Sequence, residues 1–176
     1  WESPGFTNSN VNVVIKPITT ATSVVTINTP NIVVITLPKR LGCLILAIDV
    51  VIVKNYACNG ILSIPVLELE LPVLTDWSYA KLKKAPCHYY GSCYESDFVI
   101  AAHNYTAHFG RLSELRQGDL VFFTDAAGQT HGYEVVLTET LPPTAIEEMI
   151  ASGFALSLYT CTPGGGNRVT VRCNRR

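Results

Sequence analysis

The chain has 176 residues, 48% of them hydrophobic and 15% charged, with a formal net charge of −1. That length and apolar fraction suit one domain with its own core and an appendage. A near-neutral chain lacks the basic footprint of a nucleic-acid binder, and the run Gly164-Gly165-Gly166 is followed by neither a Lys-Ser/Thr pair nor a helical pattern, which excludes a phosphate-cradling loop.

The first 54 residues differ from the rest. They are crowded with Val, Ile, Thr and Asn, and Pro4, Pro17, Pro30 and Pro38 punctuate them. Short strands over residues 11–15, 24–27, 32–37 and 45–53 fit this pattern. The apolar run 41–53 contains Asp49 and is shorter than the roughly 20 residues a spanning helix needs. It reads as a buried strand or strand pair, with a degenerate membrane anchor as the lesser alternative. No chemistry-bearing cluster falls in this segment, and a stalk, added strands or an assembly surface are equally open to it. The chain begins without Met and without a basic-then-apolar signal pattern, as a mature or trimmed form would.

A composition shift at 54–60 opens the main domain, expected over 55–176. Residues 61–65 and 67–71 read as two strands divided by Pro65, the second with Glu68 and Glu70 on a wet face. Thr75 or Asp76 is placed to cap a short helix over 77–83, ahead of Pro86. The Lys81, Lys83 and Lys84 cluster fits a solvated face, and Trp77 and Tyr89-Tyr90 fit packing or the border of a peptide groove. Residues 98–102 form a buried strand that delivers His103 and Asn104. Strands at 120–124 and 131–137 flank the Gly-containing hairpin loop 125–129. Thr144 and Glu147 have capping-box spacing and predict a short helix that Gly153 ends.

The six cysteines are Cys43, Cys58, Cys87, Cys93, Cys161 and Cys173. No spacing matches paired C-x-x-C zinc ligation. Cys87 and Cys93 are close enough to bridge around Tyr-Tyr-Gly, but free thiols are the simpler expectation for a chain with an adequate core. His108 and His131 read as structural or exposed.

The segment 154–173 carries the densest signal. An apolar, β-branched run meets Thr-Pro-Gly-Gly-Gly-Asn, which cannot continue a strand, and Val169-Thr170-Val171 is β-prone again. If the two runs pair, Cys161 and Arg168 stand nearly opposite, roughly 5 Å apart on one face. A guanidinium beside a thiol favours the thiolate and can also hold an oxyanion. His103, at another strand end, completes a nucleophile, acid-base and oxyanion-donor set for acyl transfer. Short strands, few helices and no βαβ rhythm predict an all-β fold: a closed or nearly closed, antiparallel-rich β-barrel with a few short helices.

Six groups of residues, in order, resemble the sortases, cysteine transpeptidases of Gram-positive cell surfaces. They are L-S-I-P (62–65), L-P-V (71–73), V-I-A-A-H-N (99–104), F-G-R-L-x-x-L-x-x-G-D (109–119), Y-E-V (133–135) and S-L-Y-T-C-T-P followed by N-R-V-T-V-R (157–172). The resemblance implies that Cys161 is the nucleophile, His103 the general acid and base, and Arg168 the oxyanion donor. Arg172 is the competing arginine. Thr160, Asn104 and Ala102 would line the substrate site, Ala102 standing where the family often carries Gly. The implied substrate is a Leu-Pro-x-Thr-Gly-like sorting signal of a surface protein or pilin. The implied acceptor is an amine of a peptidoglycan precursor or a pilin, at the outer face of a Gram-positive membrane. Subclass stays open among class B, pilus-type and class D-like. No metal or other cofactor is implied, although Glu147-Glu148 imitates the acidic loops with which some class A members bind Ca²⁺; a helix N-terminal turn explains that pair more simply. Two alternatives remain beside the transpeptidase: a catalytically silent β-barrel used for binding or assembly, and a hydrolytic cysteine peptidase.

Overall fold

The computed structural model describes residues 24–25, 33–41, 44–53 and 56–176, with side chains from Tyr56 onward. The expected strand at 11–15 lies outside the described residues. Among the described residues eleven strands run in chain order: β1 (Val24–Val25), β2 (Val33–Leu41), β3 (Leu44–Val53), β4 (Tyr56–Ile64), β5 (Leu69–Leu74), β6 (Cys87–Tyr90), β7 (Phe98–Ala101), β8 (Leu120–Asp125), β9 (Thr130–Leu141), β10 (Leu156–Cys161) and β11 (Arg168–Arg175). Two short helices, α1 (Tyr79–Leu82) and α2 (Ile146–Ile150), interrupt them.

Eight of the strands close a barrel in the order β4-β5-β6-β7-β10-β11-β9-β8, and β8 returns to β4. The closing seam pairs Gly60 with Asp125 and Ile61 with Thr124. Gly60 is what lets these backbones meet, because a Cβ there would lie 2.1 Å from the Thr124 carbonyl oxygen. β1, β2 and β3 extend the sheet beyond β4 as an antiparallel meander. β2 runs on through Pro38-Lys39-Arg40 to Leu41, past the end of the strand expected over 32–37. The barrel is mixed rather than uniformly antiparallel: β5 pairs with β6, and β7 with β10, in parallel.

Inward-facing side chains fill the barrel. Leu62, Val73, Ile100, Phe123, Val135 and Leu158 are among the buried core, with Phe109 and Leu112 packed from the 105–115 segment. Pairwise ring contact between Phe98 and Phe123 (5.0 Å between centroids) joins β7 to β8 across the interior.

Local details correct several expectations. Glu68 is not on a strand: it adopts a left-handed conformation (φ 53°) at the end of a 3-10 turn over Pro65–Leu67, and β5 starts after it. Ser78, rather than Thr75 or Asp76, caps α1 by accepting from Lys81 N. Asp76 is instead held in an ion pair with Lys81. α2 begins at Ile146 with no side-chain cap, so the Thr144 and Glu147 spacing makes no capping box. Residues 87–90, for which the sequence pattern singled out no element, form β6. Cys87 and Cys93 are free thiols, as are Cys161 and Cys173. No helix among the described residues is long and apolar enough to cross a membrane.

Candidate active site

The hairpin at 154–173 forms in the expected register. Leu156 pairs with Cys173, Thr160 with Val169, and Cys161 with Arg168. The turn is shaped by Thr162, whose N–H donates to Asn167 O (3.0 Å) and whose Oγ1 accepts from Asn167 N (3.1 Å). Cys161 is therefore the last residue of β10 and Arg168 the first of β11, both half-buried at the rim.

His103 reaches the same rim through the parallel pair. Tyr159 is level with Ala101 in the β7–β10 register, and continuing that register by two residues sets His103 level with Cys161. Adjacent strands lie about 4.8 Å apart, so this is a neighbouring position on the same face. Beyond the end of β7 the chain is held to β10 twice. Ala102 N donates to Tyr159 O (3.1 Å), and Thr160 Oγ1 donates to Ala102 O (2.9 Å). His103 O then accepts from Phe109 N, which turns the chain back over the core.

The His103 ring stacks on Tyr105 (4.8 Å, 24°), and its Nε2 is buried without a partner in the protein. Burial, with a smaller contribution from the positive charge of Lys83, holds its pKa below the ordinary imidazole value. The ring is therefore neutral at neutral pH, with a basic nitrogen free to exchange a proton.

His103, Cys161 and Arg168 line one groove of about 200 Å³. One wall is aromatic, built from Trp77, Tyr79, Tyr89 and Tyr159. Trp77 contacts Tyr79 (5.8 Å) and Tyr89 (5.6 Å), and Tyr89 meets Tyr159 edge-to-face (5.5 Å). The facing wall is Pro142, Pro143 and the α2 side chains Ile146 and Met149. Tyr89 and Trp77 thus border the groove; Tyr90 does not line it.

Arg168 Nη1 donates to Gly165 O (3.1 Å) and Asn167 O (3.0 Å). The loop carbonyls fix the guanidinium at the rim while Nε and Nη2 remain as donors for a ligand in the groove. Arg172, the competing arginine, is elsewhere. It pairs with Ser157 in register, is 2% exposed, and donates to Glu139 Oε1 (2.7 Å), Ser157 Oγ (2.8 Å) and Glu148 O (2.7 Å). Through Glu148 O it fastens α2, and with it one wall of the groove, to the barrel.

Ala102 lines the groove; Thr160 and Asn104 do not. Strand alternation turns Thr160 inward, where it is 3% exposed and its hydroxyl clasps the Ala102 carbonyl. Asn104 is exposed beyond His103. The sequence reading missed the groove wall formed by Pro142, Pro143 and α2, because nothing in that spacing points to a strand end some twenty residues away. It also placed no function on Cys93, Asp125 and His131, which converge at the opposite end of β7.

A family model described as the sortase domain matches residues 62–176. Solved structures agree. Sortase C1 from Streptococcus suis is 29% identical over 68% of this chain and 73% of that chain, with a TM-score of 0.61. A sortase C from Streptococcus pneumoniae is 25% identical over 68% of this chain and 66% of its own, also at 0.61. Sortase A from Corynebacterium diphtheriae, at 24% identity over 69% and 61%, shares the fold with a TM-score of 0.62. No curated protein matches the chain. The domain match, the closed mixed barrel and the hairpin at its rim together establish that the chain belongs to the sortase family of transpeptidases.

Proposed function

We propose that this protein is a cysteine transpeptidase that cleaves a Leu-Pro-x-Thr-Gly-like sorting signal and passes the acyl group to an amine. The single observation that carries the reading is the Cys161 and Arg168 pair at the mouth of the β10–β11 hairpin, with His103 on the same groove.

In this reading Cys161 Sγ passes its proton to His103 Nε2 and attacks the carbonyl carbon before the scissile bond. Arg168 donates to the oxyanion that forms, a contact worth most in a partly desolvated groove. His103 Nε2 delivers a proton to the departing amine, and the C–N bond breaks to leave a thioester on Cys161. An incoming amine then attacks the thioester, His103 takes its proton, and a new amide releases the thiolate. The aromatic wall from Tyr79 to Tyr159 supplies an apolar surface along which an extended peptide would lie.

The acceptor is an amine of a peptidoglycan precursor or of a pilin. The Streptococcus pneumoniae sortase C has pilin substrate specificity, which supports a pilin lysine as the first acceptor to try. We assign residues 55–176 to the catalytic barrel and 1–54 to an added N-terminal segment. The site of action is the outer face of a Gram-positive cell membrane.

The test is intact-mass spectrometry of the protein incubated with a small library of sorting peptides. A single acyl adduct on wild-type protein, absent from Cys161→Ala, is expected. Turnover retained by Cys161→Ala defeats the proposal. Adding an amine should convert hydrolysed product into amide; hydrolysis indifferent to amine identifies a peptidase instead.

A further inference from the structure

We propose that Cys93, Asp125 and His131 form a binding site for a divalent zinc-like cation at the end of β7 remote from Cys161. The three offer a thiol sulfur, a carboxylate oxygen and an imidazole nitrogen, all within 4.8 Å of one another. His131 Nε2 and Asp125 Oδ2 are already 3.1 Å apart. Ligand atoms of tetrahedral zinc, bound at about 2.0–2.3 Å, stand about 3.3–3.8 Å from each other. The widest of the present gaps, at most 4.8 Å, needs to close by only about 1 Å to reach that spacing. A thiolate, a carboxylate and a neutral imidazole are the donor types that select zinc among the common divalent ions.

Charge favours occupancy. The side chains of Asp125 and His131 are almost wholly buried, and Cys93 is 7% exposed. A dication with one thiolate and one carboxylate is neutral overall, so the site would hold no net buried charge. Binding breaks the Cys93 S–H bond, forms the metal–sulfur bond and releases the proton to solvent. The same burial argues against a second nucleophile of Cys-His-Asp type, since a peptide cannot reach the sulfur.

The surroundings are built to hold these groups still. Asp125 Oδ1 accepts from Ala127 N and Gln129 N (2.9 Å each), which fixes the carboxylate in the β8–β9 turn. Tyr94 donates to Asp125 Oδ2 and packs edge-to-face on His131 (5.1 Å). The Cys93 carbonyl accepts from Tyr133 and Arg175. Hydrogen-bonded partners of this kind orient metal ligands. Cys93 and Asp125 also line a cavity of about 440 Å³ with Asn59, His88 and Phe98. A water from this cavity can take the fourth coordination position. The ion would tie the β6–β7 loop to the β8–β9 hairpin, while the cavity shares no lining residue with the groove of Cys161.

The test uses the full chain carrying Cys161→Ala, chelator-treated under reducing conditions, then titrated with Co²⁺ and with Zn²⁺. One cobalt per chain with a thiolate-to-metal charge-transfer band is expected. Equimolar Zn²⁺ should bleach the band and raise Tm in a concentration-dependent way. Cys93→Ser should abolish the band. Losing an outer partner already costs about 10–100-fold in affinity, so His131→Gln should weaken binding at least that much. Cys87→Ser and Cys173→Ser should keep the band. Absence of the band, or its survival in Cys93→Ser, overturns the site. If Cys93→Ser does not fold, His131→Gln decides, and unchanged affinity there overturns it equally.

Discussion

Replacing Thr160 by Val should damage catalysis without touching any group in the groove. The two side chains have nearly the same shape, so the substitution deletes one interaction: the 2.9 Å bond from Oγ1 to the Ala102 carbonyl. That bond is buried, and the carbonyl would be left unsatisfied at a cost of about 1–3 kcal/mol. For a chain of this length each kcal/mol moves Tm by about 2–4 °C, so a fall of about 2–12 °C is expected by calorimetry. The same clasp sets His103 beside Cys161. A displacement of the order of 1 Å at a reacting group costs about a hundredfold in rate. Acylation of Cys161 by a sorting peptide, followed by stopped-flow or quenched mass spectrometry, should therefore slow by about that factor. KM should change little, because the groove walls are intact. Thr160→Ser restores the hydroxyl and should recover most of the rate. If Thr160→Val acylates at the wild-type rate, or if Ser fails as badly as Val, the clasp does not position His103.

Other substitutions separate the remaining roles. Arg168→Ala should lower the rate of acylation by about 10²–10³-fold, the cost of losing one oxyanion donor, with Tm unchanged within error by calorimetry; equal losses in rate and stability would mark Arg168 as structural. Arg172→Met should do the reverse. It leaves Glu139 unpaired and frees α2, costing about 3 kcal/mol in urea melts, with any activity loss appearing mainly in KM through the groove wall. Gly91 has φ 70°, and a Cβ there would lie 2.0 Å from Asp97 O, so Gly91→Ala should lower the melting midpoint and broaden NMR signals of the 91–97 loop first.

Acid should destabilise the fold through two histidines. Burial lowers the pKa of His103, and burial together with His103 lowers that of His108, each below 6.5. The unfolded chain then binds protons at a pH where the folded chain does not. The stabilisation is complete above about pH 6.5 and is lost as pH falls through the folded values. Urea midpoints measured from pH 8 to pH 5 should fall below about 6.5, and the fall should shrink in His108→Gln. A flat profile across that range contradicts the assigned shifts.

The hairpin was legible in the sequence because Pro163 and three successive glycines forbid a ladder, leaving only one way to pair the flanking runs. Once that turn is fixed, the Cys161 and Arg168 register follows. His103 was legible as a strand end, but its proximity to Cys161 depends on a parallel pairing that no local pattern announces. Helix caps were misread because Thr75, Asp76 and Thr144 are as good cappers in isolation as Ser78. Tertiary needs decide among them: Asp76 is taken up by Lys81, and the two prolines before Thr144 set a turn in which Ala145 N bonds to Pro142 O. The Cys93, Asp125 and His131 cluster was invisible for a further reason. Its members meet only where the β6–β7 loop folds over the β8–β9 hairpin, and ligand spacing along the chain carries no trace of that.

The parallel pairing of β7 with β10 also dictates when the protein can become reactive. Parallel neighbours cannot be joined by a tight turn, and here the path from Ala101 to Leu156 passes through β8, β9 and α2 before returning. During synthesis the imidazole emerges more than fifty residues ahead of the thiol. The two become neighbours only once nearly the whole barrel has wrapped shut. A nascent or misfolded chain therefore exposes a sulfur with no proton donor beside it. Under the proposed mechanism the topology would act as a safeguard, withholding acyl-transfer chemistry from every species except the finished fold.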